Sequence, residues 1–172
     1  LLDMGAYGII APLVNTVADV RRFADSLHYP PRGNRSFGPR RPFLRFGQDY
    51  LAHASDSVVS LAMIETKEGL ANLDAILAEP GYDGVFIGPS DLALSLGLAP
   101  RPDSTEPVLL DAIEHIRARC HQTGKRAGLF CAEPAFARAM LAQGFDLVSV
   151  APDLAMLTKA ARQAVADVRA PD

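Results

Sequence analysis

The chain has 172 residues, with 17 Lys and Arg against 20 Asp and Glu, and a formal net charge of −3. Apolar residues make up 49% and charged residues 22%, which is typical of a globular protein and argues against disorder, collagen or a coiled coil. The length suits a single domain of roughly 100–200 residues. No apolar run approaches the roughly 20 residues of a membrane-spanning helix, and the acidic balance argues against a surface for duplex DNA.

The two cysteines indicate the cellular compartment, and residues 1–5 bear on whether the chain is part of a longer protein. Cys120 and Cys131 have neither the spacing of a zinc site nor the number of a disulfide framework. They indicate reduced thiols, and we therefore expect a cytoplasmic protein. Residues 1–5 lack an initiator methionine and the charged segment of a signal peptide, and they resemble the end of a helix that runs into a strand. We therefore expect a fragment of a longer protein.

Short runs rich in apolar and β-branched residues alternate with segments of helical periodicity. Such runs predict strands, at residues 7–14, 57–64, 84–87, 127–130 and 147–150. Helices are predicted after them, at residues 17–27, 67–77, 90–96, 106–123, 134–143 and 152–168. We expect Asn15 or Thr16 to cap the first helix. The continuous apolar character of the first strand is typical of a strand that is buried on both faces.

A long segment between the first helix and the second strand, residues 29–47, is predicted to be a loop. Its five arginines are Arg32, Arg35, Arg40, Arg41 and Arg45. Loops of this length inside a compact domain are usually functional or disordered. The arginines could clamp an acidic substrate or contact a neighbouring subunit, and a solvated loop is the equally weighted alternative.

Alternation of strands and helices predicts a parallel sheet with right-handed crossovers. A doubly wound sheet and a (β/α)8 barrel both satisfy this pattern. No G-x-G-x-x-G or Walker A sequence follows a predicted strand, so the usual nucleotide-binding signatures are absent. A barrel needs eight strands and about 250 residues, and the five strands here would be the last five-eighths of one.

Two carboxylates stand where neighbouring predicted strands end. Glu65 follows the second strand in Met63-Ile64-Glu65-Thr66, and Asp91 follows the third in Gly88-Pro89-Ser90-Asp91. Carboxylates on one rim repel each other unless a cation or a shared proton lies between them, and a hard divalent cation with oxygen ligands would fit. In the alternative interpretation, Asp91 caps its helix and Glu65 lies in the first turn of its own helix.

The turn Gly88-Pro89-Ser90 is a candidate site for a small anion. A glycine turn between a strand and a helix can direct backbone N–H groups at a carboxylate or phosphate, although a tight turn without a ligand is an equal alternative. All four histidines fall on predicted helices or in the loop region: His28, His53, His115 and His121. No general base is therefore evident at a strand end.

The two carboxylate motifs and their surroundings resemble the HpcH/HpaI aldolase family. The resemblance rests on residues 63–66 and 84–92 taken together, on the loop at residues 29–38, and on Gly124-Lys125 and Gly128. It implies a (β/α)8 TIM barrel of the phosphoenolpyruvate/pyruvate-binding type. Residues 1–172 would then be a single domain made of about the last five β/α units, without the first three.

The resemblance also implies the activity and the metal. The expected enzyme is a class II pyruvate aldolase, a carbon–carbon lyase that cleaves 4-hydroxy-2-oxo acids to pyruvate and an aldehyde through a metal-stabilised enolate. Glu65 and Asp91 match the two protein ligands of a divalent cation, Mg²⁺ or alternatively Mn²⁺ or Co²⁺. The positions that match substrate-binding residues are Gly88, Pro89, Ser90, Met63, Ala11 and Phe130.

The resemblance implies a role for several of the matched positions. The backbone N–H groups of Ser90 and Asp91 would hold the pyruvyl carboxylate. Ala11 and Phe130 would line the pocket near the reacting carbon and influence the choice of aldehyde. Met63 stands where some members of the family carry Gln, which removes one polar contact.

The sequence departs from the family at one end. The family's catalytic His with its Asp partner, and an Arg that polarises the keto oxygen, lie on three strands that have no counterpart here, so we expect the isolated chain to be inactive.

The resemblance further implies a homo-oligomer, a hexamer whose last helix, from Pro152, packs on a partner subunit. The expected ligand is a small 2-oxo acid, with no nucleic acid and no membrane. An acyl-CoA lyase of the malyl- or citryl-CoA type and a non-catalytic fragment are the alternatives, and the Gly-Pro-Ser turn favours the aldolase.

Overall fold

The computed structural model describes residues 1–101 and 103–170, which form an α/β fold around one curled parallel sheet. Its strands are β1 (Gly8–Ala11), β2 (Val59–Ile64), β3 (Gly84–Ile87), β4 (Arg126–Cys131) and β5 (Leu147–Val150). Its helices are α1 (Val17–Leu27), α2 (Arg40–Phe46), α3 (Tyr50–His53), α4 (Lys67–Ala71), α5 (Leu73–Leu77), α6 (Pro89–Ser95), α7 (Pro107–Gln122), α8 (Pro134–Ala142) and α9 (Asp153–Arg169). None of these helices is both long and apolar enough to cross a bilayer.

The five strands pair in parallel in the order in which they follow along the chain. Each crossover contains at least one helix, as parallel neighbours require. Alternate side chains of the strands pack against the helices, and Ile64, Ile87 and Leu129 are fully buried there. The five strands and the parallel sheet are therefore confirmed as a half-barrel, while closure into an eight-stranded barrel stays a prediction.

β1 is more exposed than its apolar sequence predicts. Exposed residues alternate with partly buried ones along the strand, and Ile10 is 40% exposed. β1 pairs only with β2, so it is an edge strand of the described sheet, and its Ile9 and Ala11 pack against the core. The expectation of burial on both faces is wrong for β1. By contrast, β3 has a neighbour on each side and is buried throughout.

Two segments differ from their predicted elements. The predicted helix at residues 67–77 divides into α4 and α5 at Asn72, whose side-chain amide donates to the backbone oxygen of Asn15 at 2.8 Å. The predicted loop at residues 29–47 contains α2, which begins after Pro39. The ring of Phe46 in α2 stacks on that of Tyr50 in α3 with centroids 5.8 Å apart, so aromatic packing gives this segment a core of its own.

The arginine-rich segment lies at the amino-terminal end of the sheet. Helix α1 returns from the carboxyl end of β1, and Tyr7, just before β1, packs on Phe46 of the segment with centroids 5.7 Å apart. Arg35 has a 5% exposed side chain that donates to Asp3 at 2.6 Å and lies 4.5 Å from the centroid of the Tyr29 ring. The other four arginines are exposed: Arg32, Arg40, Arg41 and Arg45. The segment therefore cannot clamp a substrate at the carboxyl ends of this chain's strands, and Arg35 is a structural cation.

Helix α9 contributes no buried residue to the described core. Its exposed large apolar residues are Leu154, Met156, Leu157, Val165 and Val168. An amphipathic helix of this length normally buries an apolar face. The apolar side chains of α9 are instead presented outward.

Candidate active site

The concave face of the sheet, opposite the helices, carries two rows of residues near the carboxyl ends of the strands. Strand register aligns the lower row as Met63, Phe86, Gly128 and Leu147. The upper row lies two residues further along the chain in each case and consists of Glu65, Gly88, Phe130 and Ser149. The side chains of the upper row therefore stand at the mouth of the half-barrel, where (β/α) barrels place their chemistry.

Glu65 is a buried carboxylate held by a strained turn. It is 6% exposed, and its Oε1 accepts a hydrogen bond from the backbone N–H of Leu13 at 2.8 Å. Leu13 has a φ of 55°, a left-handed conformation that is unusual for a residue with a branched side chain. Among the described residues, Oε2 of Glu65 has no hydrogen-bond donor. The helix-turn alternative for Glu65 is wrong, because Thr66 is the N-cap of α4 and the carboxylate points to Leu13 instead.

The turn that carries Glu65 is fixed on both sides. Thr66 accepts a hydrogen bond from Gly69 as the N-cap of α4, and its hydroxyl donates to Oδ1 of Asn15 in the turn after β1. The N–H of Lys67 donates to Oγ of Ser95 at the end of α6 at 2.7 Å. The turns after β1 and β2 and the helix after β3 are therefore connected, which holds Glu65 in place relative to α6.

Asp91 lies in the first turn of α6, and its carboxylate is exposed. The N-cap of α6 is Gly88 and no side chain caps this helix, so Asp91 does not act as the cap that the alternative interpretation requires. Burial raises the pKa of Glu65, the negative charge of Asp91 raises it further, and the hydrogen bond from Leu13 opposes both effects. No described Lys, Arg or His pairs with either carboxylate. The two carboxylates thus interact without a neutralising protein cation.

Gly88 is held directly against Glu65. A Cβ at this position would lie 2.7 Å from Oε2 of Glu65, 3.1 Å from its Cβ and 3.3 Å from Sδ of Met63. Because φ of Gly88 is −95°, the requirement for glycine here is steric rather than conformational.

The donor set of this rim fits a hard divalent cation. In the described ranges, no three His, Cys, Asp or Glu side chains converge as metal ligands. A cation bound by Glu65 and Asp91 would have two oxygen ligands from these residues, and its other positions would be left to water and a ligand. This matches the way in which Mg²⁺ is usually bound, through one or two carboxylates together with substrate oxygens.

The remaining predicted site residues fall on two different faces. Pro89 is buried and Ser90 is partly buried in the first turn of α6. Met63 and Phe130 are partly buried on the concave face. Ala11 ends β1 and packs, partly buried, against the core on the helix side of the sheet. Five of the six predicted substrate positions thus lie on the concave face or at the start of α6, and Ala11 alone turns toward the helices.

Sequence reasoning missed two residues of this region. Nothing in the sequence around Leu13 signals its left-handed backbone, which aims an N–H at Glu65. Ser149 stands between two valines that pack against the core, and its hydroxyl oxygen is buried without a hydrogen-bond partner. The polar residue in an otherwise apolar strand was the available signal for Ser149.

The histidines lie away from the mouth, as expected. The Nε2 of His28 lies 2.9 Å from the carbonyl oxygen of Gly81, and its Nδ1 lies 3.0 Å from Oγ of Ser55. His121 pairs with Asp146, the residue before β5, at 2.9 Å. Two further histidines are exposed, in α3 and α7 respectively: His53 and His115.

The structure therefore combines a curled parallel sheet with two interacting carboxylates, Glu65 and Asp91, at the carboxyl edge of that sheet. The family model for the HpcH/HpaI aldolase/citrate lyase family matches residues 1–160. The chain therefore belongs to this family.

Two relatives and one solved structure from this family are similar to the chain in sequence or in fold. The chain is 63% identical over 170 residues to a hydroxypyruvate/pyruvate aldolase of Rhizorhabdus wittichii, covering 99% of this chain and 68% of the relative. It is 39% identical over 164 residues to a 2-keto-3-deoxy-L-rhamnonate aldolase of Salmonella paratyphi B, covering 93% and 60%. A crystal structure of a family protein from Burkholderia cenocepacia superposes with a TM-score of 0.84 at 31% identity, covering 98% and 67%. The chain thus spans about two-thirds of the length of these proteins.

Proposed function

We propose that the chain supplies the metal-binding and 2-oxo-acid-binding part of a pyruvate aldolase. The reaction would cleave a 4-hydroxy-2-oxo acid to pyruvate and an aldehyde. The observation that carries this proposal is the pair of interacting carboxylates, Glu65 and Asp91. Among the described residues, no cation pairs with either carboxylate, and Oε2 of the buried Glu65 accepts no hydrogen bond. The names of the relatives, a hydroxypyruvate/pyruvate aldolase and a 2-keto-3-deoxy-L-rhamnonate aldolase, support the reaction class.

The proposed cofactor is a divalent cation, Mg²⁺ or alternatively Mn²⁺ or Co²⁺, held by Glu65 and Asp91. Bound there, it would act as a Lewis acid that stabilises the negative charge that develops on the 2-oxo group. The N–H groups of Ser90 and Asp91, at the start of α6, would orient the substrate carboxylate. Met63 and Phe130 would form apolar walls that keep water from the breaking bond. Ala11 remains a proposed neighbour of the reacting carbon only through the backbone at the end of β1.

Proton transfer needs a group beyond these residues. When the bond between C3 and C4 breaks, the 4-hydroxyl must lose a proton, and C3 must later gain one to give pyruvate. In the described ranges, His28 and His121 are engaged elsewhere, with Gly81 and Asp146 respectively. We therefore propose that the isolated chain has little turnover, because no described histidine stands at the mouth to act as the base.

We also propose that the protein is cytoplasmic and forms a homo-oligomer, a hexamer by resemblance. Cys120 and Cys131 are both buried free thiols, which suits a reducing compartment. Helix α9 presents exposed apolar side chains, Leu157 among them at 68% exposure, and these would pack on a partner subunit. Analytical ultracentrifugation tests this proposal: Leu157→Glu should lower the assembly state, and a monomeric wild-type protein would refute it.

The activity test measures pyruvate release from a 4-hydroxy-2-oxo acid by a protein that carries this chain together with the additional length of its relatives. We expect release that EDTA abolishes and added Mg²⁺ restores, and loss of at least 100-fold in kcat for Glu65→Gln and Asp91→Asn. Cleavage that is insensitive to EDTA would refute the metal proposal. Cleavage of malyl- or citryl-CoA in preference would favour the acyl-CoA lyase, and metal binding without any cleavage would favour a non-catalytic role.

A further inference from the structure

Ser149 carries a buried hydroxyl that the described structure leaves without a partner. Its Oγ is shielded from solvent and makes no hydrogen bond, although the residue as a whole is only partly buried. Buried hydroxyl groups are nearly always paired in folded proteins, because an unpaired one destabilises the fold. An orphaned hydroxyl at the mouth of a half-barrel therefore needs an explanation.

Strand register places Ser149 in the upper row of the concave face. Ser149 pairs with Phe130, while Val148 and Val150 on either side of it pack against the core, so its side chain stands on the face opposite the helices. Along this row Gly88 lies on β3 beside Glu65, Phe130 lies on β4, and Ser149 lies on β5. Neighbouring strands are about 4.8 Å apart, so Ser149 is roughly 10 Å along the sheet from Gly88.

The distance between Gly88 and Ser149 would place different parts of one substrate at these two positions. A pyruvyl unit held at Glu65 and at the start of α6 would occupy the mouth beside β2 and β3. The part of the substrate that derives from the aldehyde would extend past Phe130 and reach β5. Because the residue is partly exposed, a change of χ1 from one staggered well to another would turn the Ser149 hydroxyl from the wall to the open face.

We propose that Ser149 is a specificity-determining residue whose hydroxyl hydrogen-bonds a hydroxyl group on the aldehyde-derived part of the substrate. The preferred aldehyde would then carry a hydroxyl next to its carbonyl carbon, rather than an alkyl group. This inference rests on the proposed function, because it takes the position of the pyruvyl unit from the Glu65 and Asp91 site. A pocket that hydrogen-bonds a substrate hydroxyl rejects an analogue without it, because its own polar group is then left unpaired.

The test uses two stable analogues of 2-oxo acids, N-(2-hydroxyethyl)oxamate and N-propyloxamate, which differ by a hydroxyl in place of a methyl group. Their dissociation constants are measured by calorimetry with saturating Mg²⁺, on a protein that carries this chain together with the additional length of its relatives. We expect wild type to bind the hydroxyethyl compound roughly threefold to tenfold more tightly. Ser149→Ala should remove this preference, Ser149→Thr should retain part of it, and Ser36→Ala, at an exposed serine of the arginine-rich segment, should leave it unchanged.

The same variants give a second readout without ligand. If the hydroxyl is an orphan that awaits a ligand, Ser149→Ala should raise the unfolding temperature by roughly 2–4 °C. A purely structural hydroxyl would give the opposite sign. Equal binding of the two analogues by wild type, or a preference that survives in Ser149→Ala, would overturn the inference about Ser149 alone. Failure of both analogues to bind with Mg²⁺ would overturn the proposed metal and 2-oxo acid site, and the inference with it.

Discussion

Gly88→Ala perturbs the buried carboxylate without touching the backbone conformation. A φ of −95° is allowed for alanine, so the effect of the substitution comes from contacts of the added methyl group alone. That methyl group would lie 2.7 Å from Oε2 of Glu65, whereas ordinary contact between carbon and oxygen needs about 3.4 Å. The Glu65 carboxylate must therefore move by about 0.7 Å, and Oε1 risks its hydrogen bond to Leu13.

A displacement of this size matters more for metal binding than for folding. Ligands must be held within roughly 0.5 Å of their productive positions, and changes that disturb the support of a ligand cost about 10–100-fold in metal affinity. The destabilisation should be about 1–3 kcal/mol, as for other additions of a methyl group to a packed site. We therefore expect Mn²⁺ affinity to fall by about 10–100-fold in a chain that stays folded.

The assay is a titration with Mn²⁺ followed by electron paramagnetic resonance, with urea denaturation of the same samples. Gly38→Ala is the matched control, since a Cβ there would meet only Oδ2 of Asp3, at an ordinary 3.4 Å. The control should leave Mn²⁺ affinity unchanged. Unaltered Mn²⁺ affinity in Gly88→Ala would refute the assignment of Glu65 as a ligand that Gly88 supports.

Three further changes test the electrostatics and the arginine-rich segment. Burial and the negative charge of Asp91 raise the pKa of Glu65 above 4.5, so the contribution of this carboxyl group to stability is full below pH 4.5 and is lost as the pH rises. In the absence of metal, Glu65→Gln should therefore unfold at a higher temperature than wild type at pH 7. Equal unfolding temperatures at pH 7 would contradict this. Burial disfavours the charged form of Asp146, but hydrogen bonds from Ala127, His121 and Arg126 outweigh this effect and lower the pKa of Asp146 to about 2. Asp146→Asn should therefore lower the free energy of unfolding by about 1 kcal/mol at pH 7, after allowance for solvent screening. In urea titrations, the difference from wild type should shrink as the pH falls toward 2. Arg35→Ala should cost about 3 kcal/mol by urea denaturation, against less than about 0.5 kcal/mol for the exposed Arg40→Ala, and equal effects would show that Arg35 is not a structural cation.

Most of the sheet was predictable from the sequence because each strand is a short apolar run with a turn signal after it. The predicted bounds of β3 and β5, residues 84–87 and 147–150, agree with the structure. Thr16 caps α1 through a capping box with Asp19, as its position before an apolar periodic segment indicates. The predictions failed where long-range contacts decide the outcome, as at Asn72, where a hydrogen bond to Asn15 accompanies the break in the helix.

The placement of the two carboxylates on one rim was predictable from the sequence, whereas the contacts around them were not. The position of Glu65 and Asp91 after neighbouring strands was sufficient to place both on one rim, since parallel strands share a carboxyl edge. The contact between Gly88 and Glu65, and the N–H that Leu13 offers, depend on how separate turns pack. Arg35 could not be assigned from sequence either, because its partner Asp3 is 32 residues away along the chain.

The most direct test of the central claim, that Glu65 and Asp91 together hold a divalent cation, is Mn²⁺ binding followed by electron paramagnetic resonance, with and without pyruvate. We expect one site per chain that pyruvate tightens, and a loss of at least about 100-fold in affinity for both Glu65→Gln and Asp91→Asn. Glu133→Gln, at an exposed carboxylate at the N-cap of α8, serves as the control and should bind as wild type does. Equal Mn²⁺ affinity in wild type and in the Glu65 and Asp91 variants would contradict the claim.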